Sequence, residues 1–243
     1  MDFSSLTYLE IHEHIRSGSI AVIPTGCTEQ QGPRLPVDFD TWFSATVCQA
    51  GAERAGRLGT QVLVLPVIPF GPAPEHRNFG SGYIHIPLQI HEQLISAVLD
   101  SLAEQGFQRM IIWRGCGGHN LKNVTKDFNL RLAGKCRAFL PEMPYAQIME
   151  GIAPGIPGGH ADSFCVGLSL YLRPESLRTD KIPAPELAPV NWCDPQLDFS
   201  NYSSSGTIGD PSRGTREMGA GLWNAIVEEV ALTFIQMAGY ALT

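Results

Sequence analysis

The sequence lacks the features that mark several large classes of protein. Basic residues are in the minority, since 17 Lys and Arg stand against 24 Asp and Glu for a formal net charge of -7. A nucleic-acid-binding surface is therefore not expected. No apolar run approaches the roughly 18 residues that span a bilayer, and residues 1–5 show neither the basic nor the apolar part of a signal peptide. These absences predict a cytoplasmic protein that binds neither nucleic acid nor membrane.

Disulfide and nucleotide-binding motifs are absent as well. The six cysteines form no CxxC pair and no short secreted framework: Cys27, Cys48, Cys116, Cys136, Cys165 and Cys193. In a cytoplasmic chain we expect reduced thiols, most of them small buried hydrophobic residues. The glycine-rich segment 115–120 has neither GxGxxG nor a Gly-Lys-Ser/Thr ending, which excludes a Rossmann or P-loop site. Repeats and linkers are also missing, so residues 1–243 are interpreted as a single domain.

The sequence does contain an alternation of apolar strands and helices. Apolar runs bounded by turn residues predict parallel strands at 19–24, 61–68, 109–114 and 141–150. Helical patterns predict helices at 6–17, 41–57, 88–105 and 121–133, with a last one that reaches 237. Residues 172–205 are rich in Pro, Asn and Ser and are interpreted as an irregular excursion. The alternation predicts a three-layer α/β/α fold with a mostly parallel central sheet.

Two acidic residues lie close to the carboxyl end of the first predicted strand. Glu29 is in the loop after that strand, and Asp40 takes the N-cap position of the helix that follows. Ligands bind at the carboxyl ends of parallel strands in α/β proteins, so both acids are candidate site residues. Their spacing alone leaves a second interpretation open, in which Glu29 is a solvated loop acid and Asp40 is only a cap.

The segment 25–36 reads Thr-Gly-Cys-Thr-Glu-Gln-Gln-Gly-Pro-Arg-Leu-Pro. It resembles the signature of the creatininase (creatinine amidohydrolase) family, in which a strand ends in Gly-(Ser/Cys)-Thr-Glu-Gln-His-Gly-Pro-His-Leu-Pro and an Asp follows. The resemblance implies that Glu29 and Asp40 are metal ligands. Gln31 and Arg34 stand where the family has histidines, so they are assigned to substrate binding instead.

Four later segments resemble the same family in the same order. Glu75-His76 matches a Glu-His dipeptide, and 206–211 resembles Gly-Val-x-Gly-Asp-Pro. At the corner formed by 115–120 the family has Asn-Gly-His-Gly-Gly-Asn, whose histidine binds metal. An ungapped match puts Cys116 on that histidine and His119 on the last Asn, whereas a shift by one residue keeps Asn120 as the Asn. Both donors can bind a metal, and we assign His119 as the ligand.

The remaining segment, which lies between 115–120 and 206–211, begins at His160, which matches the histidine that the family uses in catalysis. Cys165 falls where the family has an acidic residue, and Asp162 suits the first turn of a helix. The resemblance thus implies catalytic roles for His160, Glu75, His76 and Cys116. We expect Asp162 and Cys165 to contact the substrate.

The resemblance also implies a creatininase-like fold, a homo-oligomer that is commonly a hexamer, and a divalent cofactor, Zn, Mn or Fe. The altered ligand positions predict one metal ion per chain, which would activate water to cleave a small polar, cyclic amide. One alternative is a hydrolase that opens a cyclic keto-polyol, such as a keto-inositol, at a carbon–carbon bond. A metal-free hydrolase with Cys116 as nucleophile and a non-catalytic relative are further alternatives.

Overall fold

Four parallel strands form the centre of the fold in the computed structural model, which describes residues 1–242. They lie in the order β2-β1-β3-β4, with bounds β1 Ile20–Thr25, β2 Val62–Val64, β3 Arg109–Arg114 and β4 Arg137–Phe139. Val22 of β1 pairs with Val64 of β2 on one side and with Ile111 of β3 on the other. All six residues of β1 are buried, as expected of a central strand covered on both faces.

Within the described residues, seven α-helices cover the two faces of the sheet: α1 Tyr8–Arg16, α2 Phe39–Arg57, α3 Leu88–Gln105, α4 Lys122–Arg131, α5 Tyr145–Ile152, α6 Ser163–Leu172 and α7 Arg216–Ala238. Alternate β1 side chains point to opposite faces. Ile20 and Val22 pack with α2, α5, α6 and α7, whereas Ala21 and Ile23 pack with α1, α3 and α4. The predicted three-layer α/β/α fold is confirmed.

Helix α7 is long and apolar enough to cross a membrane by length and composition, and it alone meets that test within residues 1–242. Its apolar side chains have a different use in this fold. Leu222, Ile226 and Phe234 are fully buried in the core beside α2 and the sheet. The composition of α7 is therefore that of a core helix.

Two details of the predicted elements are wrong. The fourth strand is Arg137–Phe139, and the predicted strand 141–150 instead contains α5. Pro144 precedes the first residue of α5, where proline is tolerated because its missing N–H is not needed. Helix α2 begins at Phe39 after the N-cap Asp38, so Asp40 lies within the first turn and is not the cap. Residues 172–205 are largely irregular, as predicted.

Candidate active site

A cavity of about 500 Å³ opens at the carboxyl ends of the strands. The loops after β1, β2 and β3 contribute polar residues to it, among them Glu29, Glu75 and Cys116. Segments around 158–165 and 192–199 close the other side. Six aromatic side chains line its walls: Phe39, Phe43, Tyr145, Phe164, Trp192 and Phe199. A substrate in this cavity would have polar groups at one end and aromatic surface around it.

The loop after β1 is pressed against the start of α2, and this contact brings Glu29 and Asp40 together. Gly26 permits the approach, because a Cβ atom there would lie 2.5 Å from the Cα atom of Thr41. The Thr41 hydroxyl donates a hydrogen bond of 2.8 Å to the carbonyl of Cys27. The Glu29 amide donates to the Val37 carbonyl at 3.0 Å, which closes the loop.

Glu29, Asp40 and Cys116 form the polar floor of the cavity. One ligand atom from each lies within 4.8 Å of the others. The Gln31 amide donates to Glu29 Oε1 at 3.2 Å and to Asp40 Oδ2 at 3.3 Å, and Cys116 Sγ lies 3.7 Å from Glu29 Oε2. Gln31 therefore bridges the two acids, and its own Oε1 atom is buried without a hydrogen-bond partner among the described residues.

Burial makes negative charge on this floor costly. It raises the pKa of Glu29 to about 7 and the pKa of Asp40 well above its ordinary value, with the charge of Glu29 adding to the second shift. A hydrogen bond with Cys27, together with burial, raises the pKa of the Cys116 thiol. Two carboxyl groups and a thiol that are close together and shielded from water are stable only if protons or a bound cation neutralise their negative charge. This donor set therefore fits a divalent metal ion.

Two histidines flank Glu29 and are held by Gln30. His76 Nε2 lies 3.4 Å from Glu29 Oε2, and His160 Nδ1 lies 3.7 Å from Glu29 Oε1. The backbone carbonyl of Gln30 accepts a hydrogen bond from His160 Nε2 at 2.8 Å. The side-chain amide of Gln30 donates one to His76 Nδ1 at 3.1 Å. Gln30 thereby fixes both rings, a role that the sequence analysis missed although this residue lies within the quoted signature.

Burial keeps both imidazoles neutral. It lowers the pKa of His76, and burial together with the neighbouring His76 lowers the pKa of His160 to about 3. Because His160 Nε2 carries the proton donated to Gln30, the unprotonated atom is Nδ1, on the side of Glu29. The backbone of His160 is itself fixed by two hydrogen bonds with Ile208, of 2.8 and 2.9 Å.

His119 belongs to a second group of donors behind the floor. Its Nε2 atom lies 2.9 Å from Cys27 Sγ, and Cys116 completes the group within 4.8 Å. His119 is fully buried, and its ring centroid lies 4.7 Å from that of His91. Burial, helped by His91, lowers the pKa of His119 to about 3. The structure thus places Cys116, not His119, beside Glu29 and Asp40.

The four residues assigned to substrate binding divide into two pairs. Gln31 and Cys165 line the cavity, which keeps their contact with substrate as a prediction. Arg34 lies outside the lining and donates instead to the Pro211 carbonyl at 3.1 Å. Asp162 also lies outside, because its carboxylate caps α6 by accepting from the amides of Phe164 and Cys165 at 2.9 and 3.4 Å. Both residues therefore have structural contacts outside the lining, and their contact with substrate stays a prediction.

Comparison with known proteins identifies the family of this chain. The Creatininase family model, creatinine amidohydrolase, matches residues 4–234. This chain belongs to the creatininase family. It is 30% identical over 220 residues to the mycofactocin precursor peptide peptidase of Mycobacterium ulcerans (strain Agy99), with 86% of this chain and 81% of that protein covered. The family resemblance inferred from the five sequence segments is confirmed, and the protein is a creatininase-family hydrolase.

Two further similarities differ in how much of the chain they cover. The 3-dehydro-scyllo-inosose hydrolase of Thermotoga maritima is 24% identical over 115 residues, which cover 47% of this chain and 35% of that protein. The structure of a mutant creatininase of Zn-Zn type has a TM-score of 0.85 at 19% identity and covers 98% of each chain. The second similarity establishes that the two proteins share a fold.

Proposed function

We propose that this creatininase-family hydrolase uses one divalent metal ion per chain, held by Glu29, Asp40 and Cys116, to cleave an amide bond in a small polar substrate. The observation that carries the proposal is the grouping of these three donors at the floor of the cavity. A divalent ion there would supply Lewis acidity, which makes water a better nucleophile and stabilises charge on the attacked carbonyl. The thiol favours zinc among the three metals predicted, Zn, Mn and Fe.

The histidines beside Glu29 are suited to moving a proton at the same place. His160 is neutral, and its free Nδ1 atom faces the floor of the cavity. A proton that it accepts there is held only weakly because of the low pKa, so it passes readily to the leaving nitrogen. His76 lies 3.8 Å from the Glu75 carboxylate, which also lines the cavity. Gln30 keeps both rings in position, so little rearrangement is needed before proton transfer.

Two observations favour a metal-dependent amide hydrolase over the alternatives, one on the substrate and one on the mechanism. The peptidase named above covers most of this chain, whereas the similarity to the inosose hydrolase covers less than half. The raised pKa of Cys116 disfavours the thiolate that a metal-free nucleophile requires. The size of the cavity suits a small molecule, a cyclic amide included, or a short stretch of peptide.

We also propose a homo-oligomer, of which a hexamer is the expected form, a single domain over residues 1–243, and residence in the cytoplasm. Helix α3 supports an assembled state because its first half exposes three large apolar side chains, Leu88, Ile90 and Leu94. The six free cysteines suit a reducing compartment. Light scattering of the purified protein measures the oligomeric state.

Elemental analysis and an activity screen test the proposal together. We expect about one metal ion per chain and hydrolysis of at least one member of a panel of creatinine, small cyclic amides and short peptides. Glu29→Gln should lose both metal and turnover. The control Glu228→Gln, which changes a partly exposed acid paired with Arg54 at 2.8 Å, should keep both. Activity on a keto-inositol alone would support the ring-opening alternative, and absence of metal after reconstitution would refute the mechanism.

A further inference from the structure

Arg114 brings a positive charge into a cavity whose other ionisable side chains are acids, thiols, a phenol and a neutral histidine. It is the last residue of β3, and its half-buried side chain lines the cavity together with Glu29, Asp40 and Glu75. It is the single Lys or Arg among the residues that line the cavity within the described part of the chain. No step of the mechanism proposed above uses this positive charge.

The guanidinium of Arg114 is also without a partner. Within residues 1–242 it makes no ion pair within 4.0 Å and no hydrogen bond, although three carboxylates share its cavity. Arg54, Arg131 and Arg173 differ, since each is paired with a carboxylate at 2.8 or 2.9 Å. An arginine has five N–H donors in a fixed plane, and here none of them is bonded to a protein acceptor in the part of the chain that the structure describes. The side chain is half-buried at the cavity wall, so these donors are available to a ligand that supplies acceptors.

We propose that Arg114 binds a carboxylate of the substrate, so that the cavity accepts amides that carry an anionic group close to the bond to be cleaved. Planar guanidinium and carboxylate groups match in two parallel hydrogen bonds, which makes arginine well suited to this ligand. That the substrate is an amide rests on the proposed function. Binding of a carboxylate by Arg114 does not depend on turnover.

The position of Arg114 in the chain places its backbone close to the floor of the cavity. It precedes Cys116 by two residues, so their Cα atoms lie at most about 7 Å apart. Both side chains line the same cavity of about 500 Å³, so a small substrate can place a carboxylate at Arg114 and a carbonyl over the floor. Tyr145 and Phe164 offer apolar surface beside it. An N-acylated amino acid, or the carboxyl-terminal residue of a short peptide, has this arrangement of groups.

Binding of two matched probes tests the proposal without requiring catalysis. N-benzoylglycine carries an amide, an aromatic ring and a carboxylate, and N-benzoylglycinamide differs from it only in lacking the charge. Both are titrated calorimetrically into Zn²⁺-loaded protein and into EDTA-treated protein, because the second excludes direct binding of the carboxylate to the metal. The test variant is Arg114→Gln, and the matched control is Arg109→Gln. Arg109 lies at the other end of β3, where its side chain donates a hydrogen bond to the Tyr240 carbonyl.

We expect the wild type and Arg109→Gln to prefer the carboxylate by about tenfold to a hundredfold, the range for a charge-assisted hydrogen-bonded pair, in both metal states. Arg114→Gln should bind the two probes about equally. A preference that survives in Arg114→Gln, or a wild type without preference, would overturn the proposal. Failure of the hydrolase proposal would show separately, as an absence of metal or turnover with the binding preference intact.

Discussion

The two donor groups that share Cys116 differ in what they face. Glu29 and Asp40 line the cavity with Cys116, whereas Cys27 and His119 are fully buried behind the floor and reach no part of the cavity lining. Both groups have three potential ligands within 4.8 Å. A ligand atom becomes useful for catalysis only where substrate can reach the metal, so access to the cavity separates the two groups more clearly than donor chemistry does.

The largest effect is expected on the cavity side. Asp40→Asn should remove the metal and lower kcat/KM by at least about a thousandfold, because a metal supplies several kcal/mol of transition-state stabilisation. The metal-free variant should be no less stable than the metal-free wild type, since the substitution removes a buried acid whose ionised form is unfavourable. Elemental analysis, steady-state kinetics and urea unfolding measure the three quantities. A variant that retained both metal and rate would show that Asp40 is not a ligand.

A change on the buried side should affect stability and leave the metal in place. His119→Ala removes a fully buried ring, and we expect it to cost about 2–4 kcal/mol of unfolding free energy, as other large-to-small substitutions in cores do. His91→Ala is the matched control, because this histidine is also fully buried and packs on the same ring. Both variants should keep about one metal ion per chain. Loss of metal from a folded His119→Ala, with metal retained by His91→Ala, would restore His119 as the third ligand.

The smallest effect is expected for Cys27→Ser. The hydroxyl can replace the thiol beside His119 Nε2, so the cost should be the burial of a more polar group, about 1–3 kcal/mol of stability. Metal content and kcat should remain those of the wild type. A drop in kcat at unchanged metal content would show that the buried group acts on the chemistry through Cys116.

The sequence predicted most of the fold because its signals were local. Strand β3 was predicted with its observed ends, and Gly106 ends α3 in the left-handed conformation that favours glycine. The prediction of a strand at 141–150 failed because a short apolar run fits a strand and a buried helix equally well. The helix is favoured here because Met149 packs in the core. The assignment of Asp40 as a cap failed by two residues, within the ordinary uncertainty of helix ends.

The site was predictable to the extent that it depends on residue type in a known pattern. The resemblance brought Glu29 and Asp40 together as candidates, and the structure places them side by side. It could not decide between Cys116 and His119, because that depends on how the intervening glycines turn the backbone. The use of Gln30 to hold two histidines was also hidden, since it requires His76 and His160 to converge from distant parts of the chain.

Cobalt substitution tests the central claim, that Cys116 is the third ligand of the cavity-facing group, most directly. Thiolate bound to Co²⁺ gives a charge-transfer absorption band in the near ultraviolet, so the band reports the sulfur ligand and not activity. We expect the band in the wild type, in Cys27→Ser and in His119→Ala, and its loss in Cys116→Ser. A band that persisted in Cys116→Ser, or that disappeared in Cys27→Ser, would contradict the assignment.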